Sequence, residues 1–456
     1  MIKKLTISLT TWVAASSGLL LGKSSNSNDL VFGNYSDYIS SNVAQELREK
    51  YQLRVDLFDY DHLVKERFQK GIYDIAITST SVLSELKSSG AALKLDWSRL
   101  LGNGTNDGNV GRTESNVSET GNSKTVEDAR KLFTEIVQDM SQDLLEYGIP
   151  YFIQKLGFYY RGEEIAGLKD QQPVTFSKLI EEISKDDRFK SKDGKPKIGL
   201  IDDPRTVLSL ARKVAGKQDV NPKESEYSSS EAILKDYRTL INKGLSIENL
   251  GNNFLLMSPD SGTLVDALSS KSIEGAFMYN GDGYFASEGG NAKEEINEKD
   301  FHYVNLSENI YFLDFLTFSS KMSPDKQEKA YGLAKKLIFI GNTEEPFKKQ
   351  AKQEGEEEAK YEEMAIRNFD YVGYTPTLQS VYGKLYKYLN DEDDTSETED
   401  TLSSTEDESV KWTKKHEILK VEKPKTGTLS QEYERQLDSQ QKNDMLIAYS
   451  NFKLLV

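Results

Sequence analysis

Cysteine is absent from all 456 residues. Disulfides, thiolate nucleophiles and cysteine-held zinc or iron–sulfur centres are therefore excluded, and cysteine usage carries no signal of redox compartment. Histidine is nearly absent: His62, His302 and His416 are the three imidazoles. None stands at metal-ligand spacing or beside a nucleophile motif, so each reads as a surface or packing residue. No acid, base and nucleophile set emerges, and neither an enzyme nor a cofactor or metal site is expected. A basic stripe is lacking too. The formal charge is −16, and the run from Asp391 to Ser409 holds ten acidic and no basic residues. Such blocks are ordinarily solvated and disordered. Without basic surface to displace counterions, nucleic acid is not expected as a partner, whereas cationic and neutral ligands stay open.

What is present begins with Lys3 and Lys4, followed by the uncharged, mostly apolar stretch LTISLTTWVAASSGLLLG at residues 5–22 and then polar KSSNSND. This is the pattern of an export signal. As a helix it would reach about 27 Å at about 1.5 Å per residue, just short of the ~30 Å hydrocarbon layer. Residues 1–28 therefore read as an export signal or an uncleaved membrane anchor, with the rest of the chain outside the cell. A buried N-terminal core helix is the bland alternative.

Beyond this segment strand and helix patterns alternate. LVF (30–32), LRVDLF (53–58) and YDIAIT (73–78) read as strands. Between and after them lie a helix with a capping signal at Asn42 and Gln45 that runs to Tyr51, one closed by Gly71, and one running to Gly90. A second series follows: strands KIGLI (197–201), NFLLM and GAFMY (275–279), with helices after Pro204, over EAILKDYRTLINKG and from Ser261. Such alternation implies parallel strands joined by crossover helices, in two similar α/β units. Ligands of such sheets lie outside the carboxyl ends of the strands. Both NYSDY and STS (79–81) fall at such ends. Residues 102–125, rich in Gly, Asn, Ser and Thr, read as a long loop, and GYTPT (373–377) as a turn.

Three carboxylates stand out. Asp37 lies between Tyr35 and Tyr38 and reads either as a turn residue or as a ligand group. Asp203 precedes Pro204, which suits an N-cap as well as a ligand. Asp314 interrupts the apolar, aromatic strand IYFLDFLTFS (310–319), where an ionised group must be paired or open to a cleft. With the rings of Tyr35, Tyr38, Tyr279, Phe312 and Tyr374, these carboxylates form the set an elongated organic cation requires. Ammonium groups pair with carboxylates, and methylene chains lie along ring faces that attract positive charge.

Six segments in this order resemble the spermidine/putrescine-binding proteins of polyamine ABC importers, over most of residues 29–389. FGNYSDYIS is similar to the family's N-W-T-E-Y segment, YDIAITSTSVLSEL to Y-D-L-V-V-P-S-T, and LIDDPRTVLSLARKV to D-D-x-R-E-x-x-x-x-A-L. GAFMYNGD is similar to M-x-W-N-G, IYFLDFLTF to W-x-D-x-x-x-I, and VGYTPT to G-Y-P-T-P. The resemblance implies an α/β, two-lobed type II periplasmic-binding-protein fold with the ligand cleft between lobes. It implies a ligand-binding role for Tyr35, Ser36, Asp37, Tyr38, Ser79, Asp203, Tyr279, Phe312, Asp314 and Tyr374. The expected ligand is a putrescine- or spermidine-like cation, and the expected partner is the membrane permease of an ABC importer.

In the implied domain plan, 29–157 is the first part of lobe 1, 158–312 is lobe 2, and 313–389 returns to lobe 1 and the hinge. Residues 390–410 form an acidic insertion, and 411–456 a tail that packs on lobe 2. Departures are informative. Tyr35, Tyr279 and Phe312 replace Trp, Asp37 replaces Glu, Ser81 stands where Tyr is common, and Thr206 stands where a Glu is frequent. Exported members are often lipid-anchored through a cysteine; this chain has none, so anchoring is by the apolar N-terminus or by none. Two alternatives keep the fold: a receptor for an anion or neutral solute, for which TSTS at a helix start offers N–H groups, and a surface adhesin with a degenerate cleft.

Overall fold

The structure is a computed structural model that describes residues 29–339, 364–383 and 416–456, except 37, 59–62, 102–124, 170–172, 192–193, 224–225, 228, 246–254, 293–295, 297–299 and 425–427. The N-terminal segment, Asp37, His62, the body of the glycine-rich loop and the acidic run lie outside the described residues.

The first strand–helix series is β1 (Leu30–Asn34), α1 (Ser41–Tyr51), β2 (Leu53–Leu57), α2 (Val64–Gln69), β3 (Ile75–Ser79) and α3 (Thr80–Ser88). Strand β4 (Gly148–Arg161) then crosses the molecule. The second series is β5 (Ile198–Ile201), α4 (Pro204–Val214), α5 (Ser230–Lys243), β6 (Leu256–Ser258), α6 (Ser261–Ser269), β7 (Gly275–Tyr279) and α7 (Asn280–Ser287). The chain returns through β8 (Phe301–Tyr303), β9 (Tyr311–Phe318), α8 (Pro324–Leu337), α9 (Met364–Val372) and β10 (Thr375–Pro376), and closes on α10 (Ser439–Lys453).

Strand order is β2-β1-β3-β9-β4-β7-β5-β6, with β8 and β10 also on β4. Within each series the pairs are parallel, as the alternation implies: β1 with β2 and β3, and β5 with β6 and β7. Strands β4 and β9, between the series, pair antiparallel to each other and to their neighbours. Their apolar runs show no alternation because both faces are covered, so direction was not readable from them.

Two hydrophobic clusters result. One holds Phe32, Leu83, Phe133, Phe315 and Phe318; the other holds Phe158, Phe176, Val207, Phe277 and Phe452. β4 passes from the first, at Tyr151–Ile153, to the second, at Leu156 and Phe158; the return falls at the start of β9, where Ile310 just before it belongs to the second cluster and Tyr311 and Leu313 to the first. Helix α10 starts at a capping box between Asp438 and Gln441 and stacks Phe452 on Tyr237 of α5, ring centroids 5.3 Å apart.

Two local expectations are corrected. The cap of α1 is Ser40, not Asn42, and it makes no side-chain capping bond; its backbone N–H instead donates to Asn368 Oδ1 at 2.9 Å, so a distant side chain anchors the helix entry. GYTPT is not a simple turn: Thr375 and Pro376 pair as β10 with Ile153 and Phe152 of β4.

Phe315 is fully buried between β3 and β4. Phe315→Ala should cost about 3–5 kcal/mol through the cavity it leaves. Urea unfolding followed by circular dichroism measures this; a loss below about 1 kcal/mol would contradict the packing described.

Candidate functional site

The carboxyl ends of the parallel strands open on one cavity of about 640 Å³. β1 leads into Tyr35 and Ser36, β3 ends at Ser79, β5 leads into Asp202 and Asp203, β6 into Pro259 and Asp260, and β7 ends at Tyr279. All of these residues line the cavity. So do Tyr38, Phe312, Asp314 and Tyr374. The structure thus brings together every nominated residue it describes; Asp37 is the one outside the described residues.

Strand register explains the convergence. Ser79 on β3 sits opposite Asp314 on β9, and Phe312, two residues before Asp314 on the same face, sits opposite Gln154 on β4. Cross-strand and diagonal neighbours on one face are close enough to interact. Asp314 is buried, at 7 % exposure. Its Oδ2 accepts from Tyr38 O–H at 2.6 Å and from Gln154 Nε2 at 2.9 Å, and Gln154 Nε2 also donates to the Tyr38 oxygen at 2.7 Å. Burial, reinforced by the Asp314 charge, raises the Tyr38 phenol well above its ordinary value, so it remains a donor.

The rings fall into two groups. Phe58, Tyr35, Tyr38 and Tyr374 form a chain with successive centroids 4.7, 5.7 and 5.2 Å apart. Across the cavity Tyr279 meets Phe312 edge to face at 4.9 Å. Tyr279 O–H lies 3.3 Å from Thr206 Oγ1, so the position where the resembled family carries a Glu here holds a hydroxyl pair.

Asp203 is an N-cap and a cavity residue at once. It lines the cavity, and its Oδ1 accepts from Thr206 N at 2.7 Å as the N-cap of α4. Ser79 likewise caps α3 through Val82 N, and Asp260 caps α6 through Gly262 N. Three helix starts at the cavity therefore have side-chain caps, two of them carboxylates. His302 is a packing residue: its ring stacks on Tyr160, and Nε2 lies 2.6 Å from Gly162 O. Among the described residues no cluster of His, Asp or Glu is arranged to hold a metal.

Sequence reasoning missed several groups. Gln154 is a lone amide in an apolar strand, the same signal that marked Asp314, and could have been found. The α10 wall, formed by Lys442, Met445, Leu446, Tyr449, Ser450 and Lys453, repeats at helical spacing, yet nothing local says what that face meets. Asp282 stands just behind the cavity wall. Its Oδ1 accepts from Tyr374 O–H at 2.6 Å and Ser261 O–H at 3.0 Å, while buried Oδ2 meets no hydrogen-bond partner among the described residues. Next to it Gly281 leaves room for the Tyr374 ring; a Cβ there would come within 1.9 Å of a ring carbon.

Burial pushes the Asp282 carboxyl up from 3.8 to about 7, against the opposing pull of its two hydroxyl donors. Between those values the native state holds a proton that the unfolded chain has released, so the contribution of Asp282 to stability falls as pH rises through the window and levels off above it. Asp282→Asn should abolish this component. Melting temperatures of both proteins, compared from about pH 4 to about pH 8, should converge or cross as wild type loses its advantage; curves that stay parallel would contradict the assignment.

No curated protein matches the sequence. Among solved structures, the chain is similar to the spermidine/putrescine ABC transporter substrate-binding protein PotD of Streptococcus pneumoniae strain Canada MDR_19A. The identity is 16%, with a TM-score of 0.52 over 94% of this chain and 100% of that one. It is similar also to a protein of Listeria monocytogenes assigned to a spermidine/putrescine ABC transporter, at 16% identity and a TM-score of 0.56 over 94% and 99%. At such identity the likeness establishes the fold, an α/β fold of the periplasmic-binding-protein type. The family model of the hypothetical lipoproteins (MG045 family) matches residues 2–452, and the chain belongs to that family.

Proposed function

We propose that this protein is an extracytoplasmic solute-binding receptor that captures an organic cation of the polyamine class in its cleft and delivers it to the membrane permease of an ABC importer. The observation that carries the reading is the convergence of Asp314, Asp203 and five aromatic rings on one cavity, from strands far apart in sequence. A carboxylate beside ring faces suits a primary ammonium on a methylene chain, and each well-placed ring adds about 0.5–2 kcal/mol. The division into lobes at about residues 157 and 312 belongs to the same reading, because β4 and β9 change hydrophobic cluster near those positions.

The anion alternative is disfavoured by charge. Three of the helix starts at the cavity are capped by side chains, and at two of them, Asp203 and Asp260, a carboxylate stands where an anion would have to sit. A degenerate cleft is disfavoured by the lined cavity itself. The ligand class and the partner are supported by two of the similar structures, a spermidine/putrescine ABC transporter substrate-binding protein and a protein assigned to such a transporter.

For localisation, membership of a lipoprotein family favours the cell exterior, yet this chain has no cysteine to carry a thioether-linked lipid. Among the described residues no helix is long and apolar enough to cross a membrane. The apolar stretch at 5–22, which lies outside them, is the segment we assign to attachment.

Calorimetric titration with putrescine and spermidine tests the reading. At least one should bind, and Asp314→Asn should weaken it by about tenfold or more, ~1.4 kcal/mol. Unchanged affinity would remove Asp314 from the site.

A further inference from the structure

The wall formed by α10 carries two ammonium groups of its own. Lys453 Nζ lies 2.6 Å from Asp202 Oδ2, while Tyr449 O–H donates to Asp202 Oδ1 at 2.8 Å. The same Nζ lies 5.8 Å from the centroid of the Tyr449 ring. Lys453, Tyr449 and Asp202 all line the cavity, and Asp202 is 8 % exposed. Eleven residues earlier on the same face, Lys442 Nζ lies 2.7 Å from Glu85 Oε1 of α3, and both of these also line the cavity. Lys65 approaches the other Glu85 oxygen at 3.7 Å.

Chemically, a lysine tip is a primary ammonium on a methylene chain, the same group a polyamine presents. Held by carboxylate and ring face, Lys453 reproduces inside the protein the arrangement ascribed above to ligand and cleft. Because it is tethered through a folded helix, its effective concentration at Asp202 reaches the millimolar range or more, which a free amine must exceed to displace it.

We propose that Lys453 is a specificity-determining residue: its ammonium occupies Asp202 as a tethered stand-in for one ammonium of a ligand, with Lys442 doing the same at Glu85, so the cavity accepts a short diamine in preference to a longer polyamine. The inference rests on the amine-receptor reading. It gives the sequence change at Thr206 a counterpart, since a wall with one carboxylate fewer and two carboxylates already occupied has fewer places for additional ammonium groups.

The test is calorimetric titration of the full chain with putrescine and spermidine, for wild type, Lys453→Met, and the double variant Lys453→Met with Asp202→Asn. Methionine retains most of the apolar stem, and circular dichroism reports the fold of each variant. Wild type should prefer putrescine. Lys453→Met should bind spermidine at least about tenfold more tightly than wild type and gain less for putrescine, so that the spermidine-to-putrescine affinity ratio rises. The double variant should lose that gain, because the vacated carboxylate is gone. A spermidine-to-putrescine affinity ratio that stays within about threefold of wild type in a folded Lys453→Met protein overturns the inference alone. If neither amine binds any of the proteins, the receptor reading falls and the inference with it.

Discussion

A carboxylate in the middle of an apolar strand needs partners, and the structure supplies them from elements that otherwise would have no reason to meet. Asp314 is held by Tyr38, which follows β1, and by Gln154, at the point where β4 changes cluster. An ionised group left unpaired at that depth would cost several kcal/mol. Tyr38 and Gln154 therefore tie together the loop after β1, the crossing strand and the returning strand. Tyr38 is itself fixed by rings on several sides and by Tyr151, whose hydroxyl donates to the Tyr38 carbonyl and accepts from Asn368. The same Asn368 receives the N–H of Ser40 at the entry to α1. One buried charge thus organises a hydrogen-bonded path through the floor of the cavity.

Around that floor, residues that cap helices also line the cavity. A side chain at a helix start must satisfy exposed N–H groups, and a side chain at the end of a parallel strand faces the crevice. Asp203 is subject to both demands and meets both, so its capping role does not compete with its place in the cavity. The opposite wall is furnished by α10, joined to the second cluster by Tyr449 and Phe452 and to α3 by the Lys442–Glu85 pair. Its lysines temper a wall that would otherwise be more acidic. In the proposed receptor, selectivity depends on which carboxylates the protein has already supplied with cations.

Legibility in sequence followed the range of the interactions. Strands β1–β3 and β5–β7 could be read because their periodicity, turn glycines and helix signals are local. The antiparallel setting of β4 and β9 could not, since a strand buried on both faces carries no directional pattern. At the site, Asp314 was visible as a charge out of place, and the rings as a set ordered along the chain. Gln154 carried the same signal more faintly. Asp282, in the first turn of α7, carries no local signal of its burial, because that depends on Tyr374, nearly a hundred residues later. The α10 wall was hidden for the same reason: an amphipathic stripe does not name its neighbour.

The central claim is that the buried carboxylate and its surrounding rings form a seat for an ammonium group. A crystal structure of the protein grown with putrescine tests it most directly. The claim predicts density in the cavity with one nitrogen within about 3 Å of Asp314 and the methylene chain against the rings of Tyr38, Tyr279 or Phe312. An amine ordered elsewhere on the protein, with the cavity holding only water, would contradict it.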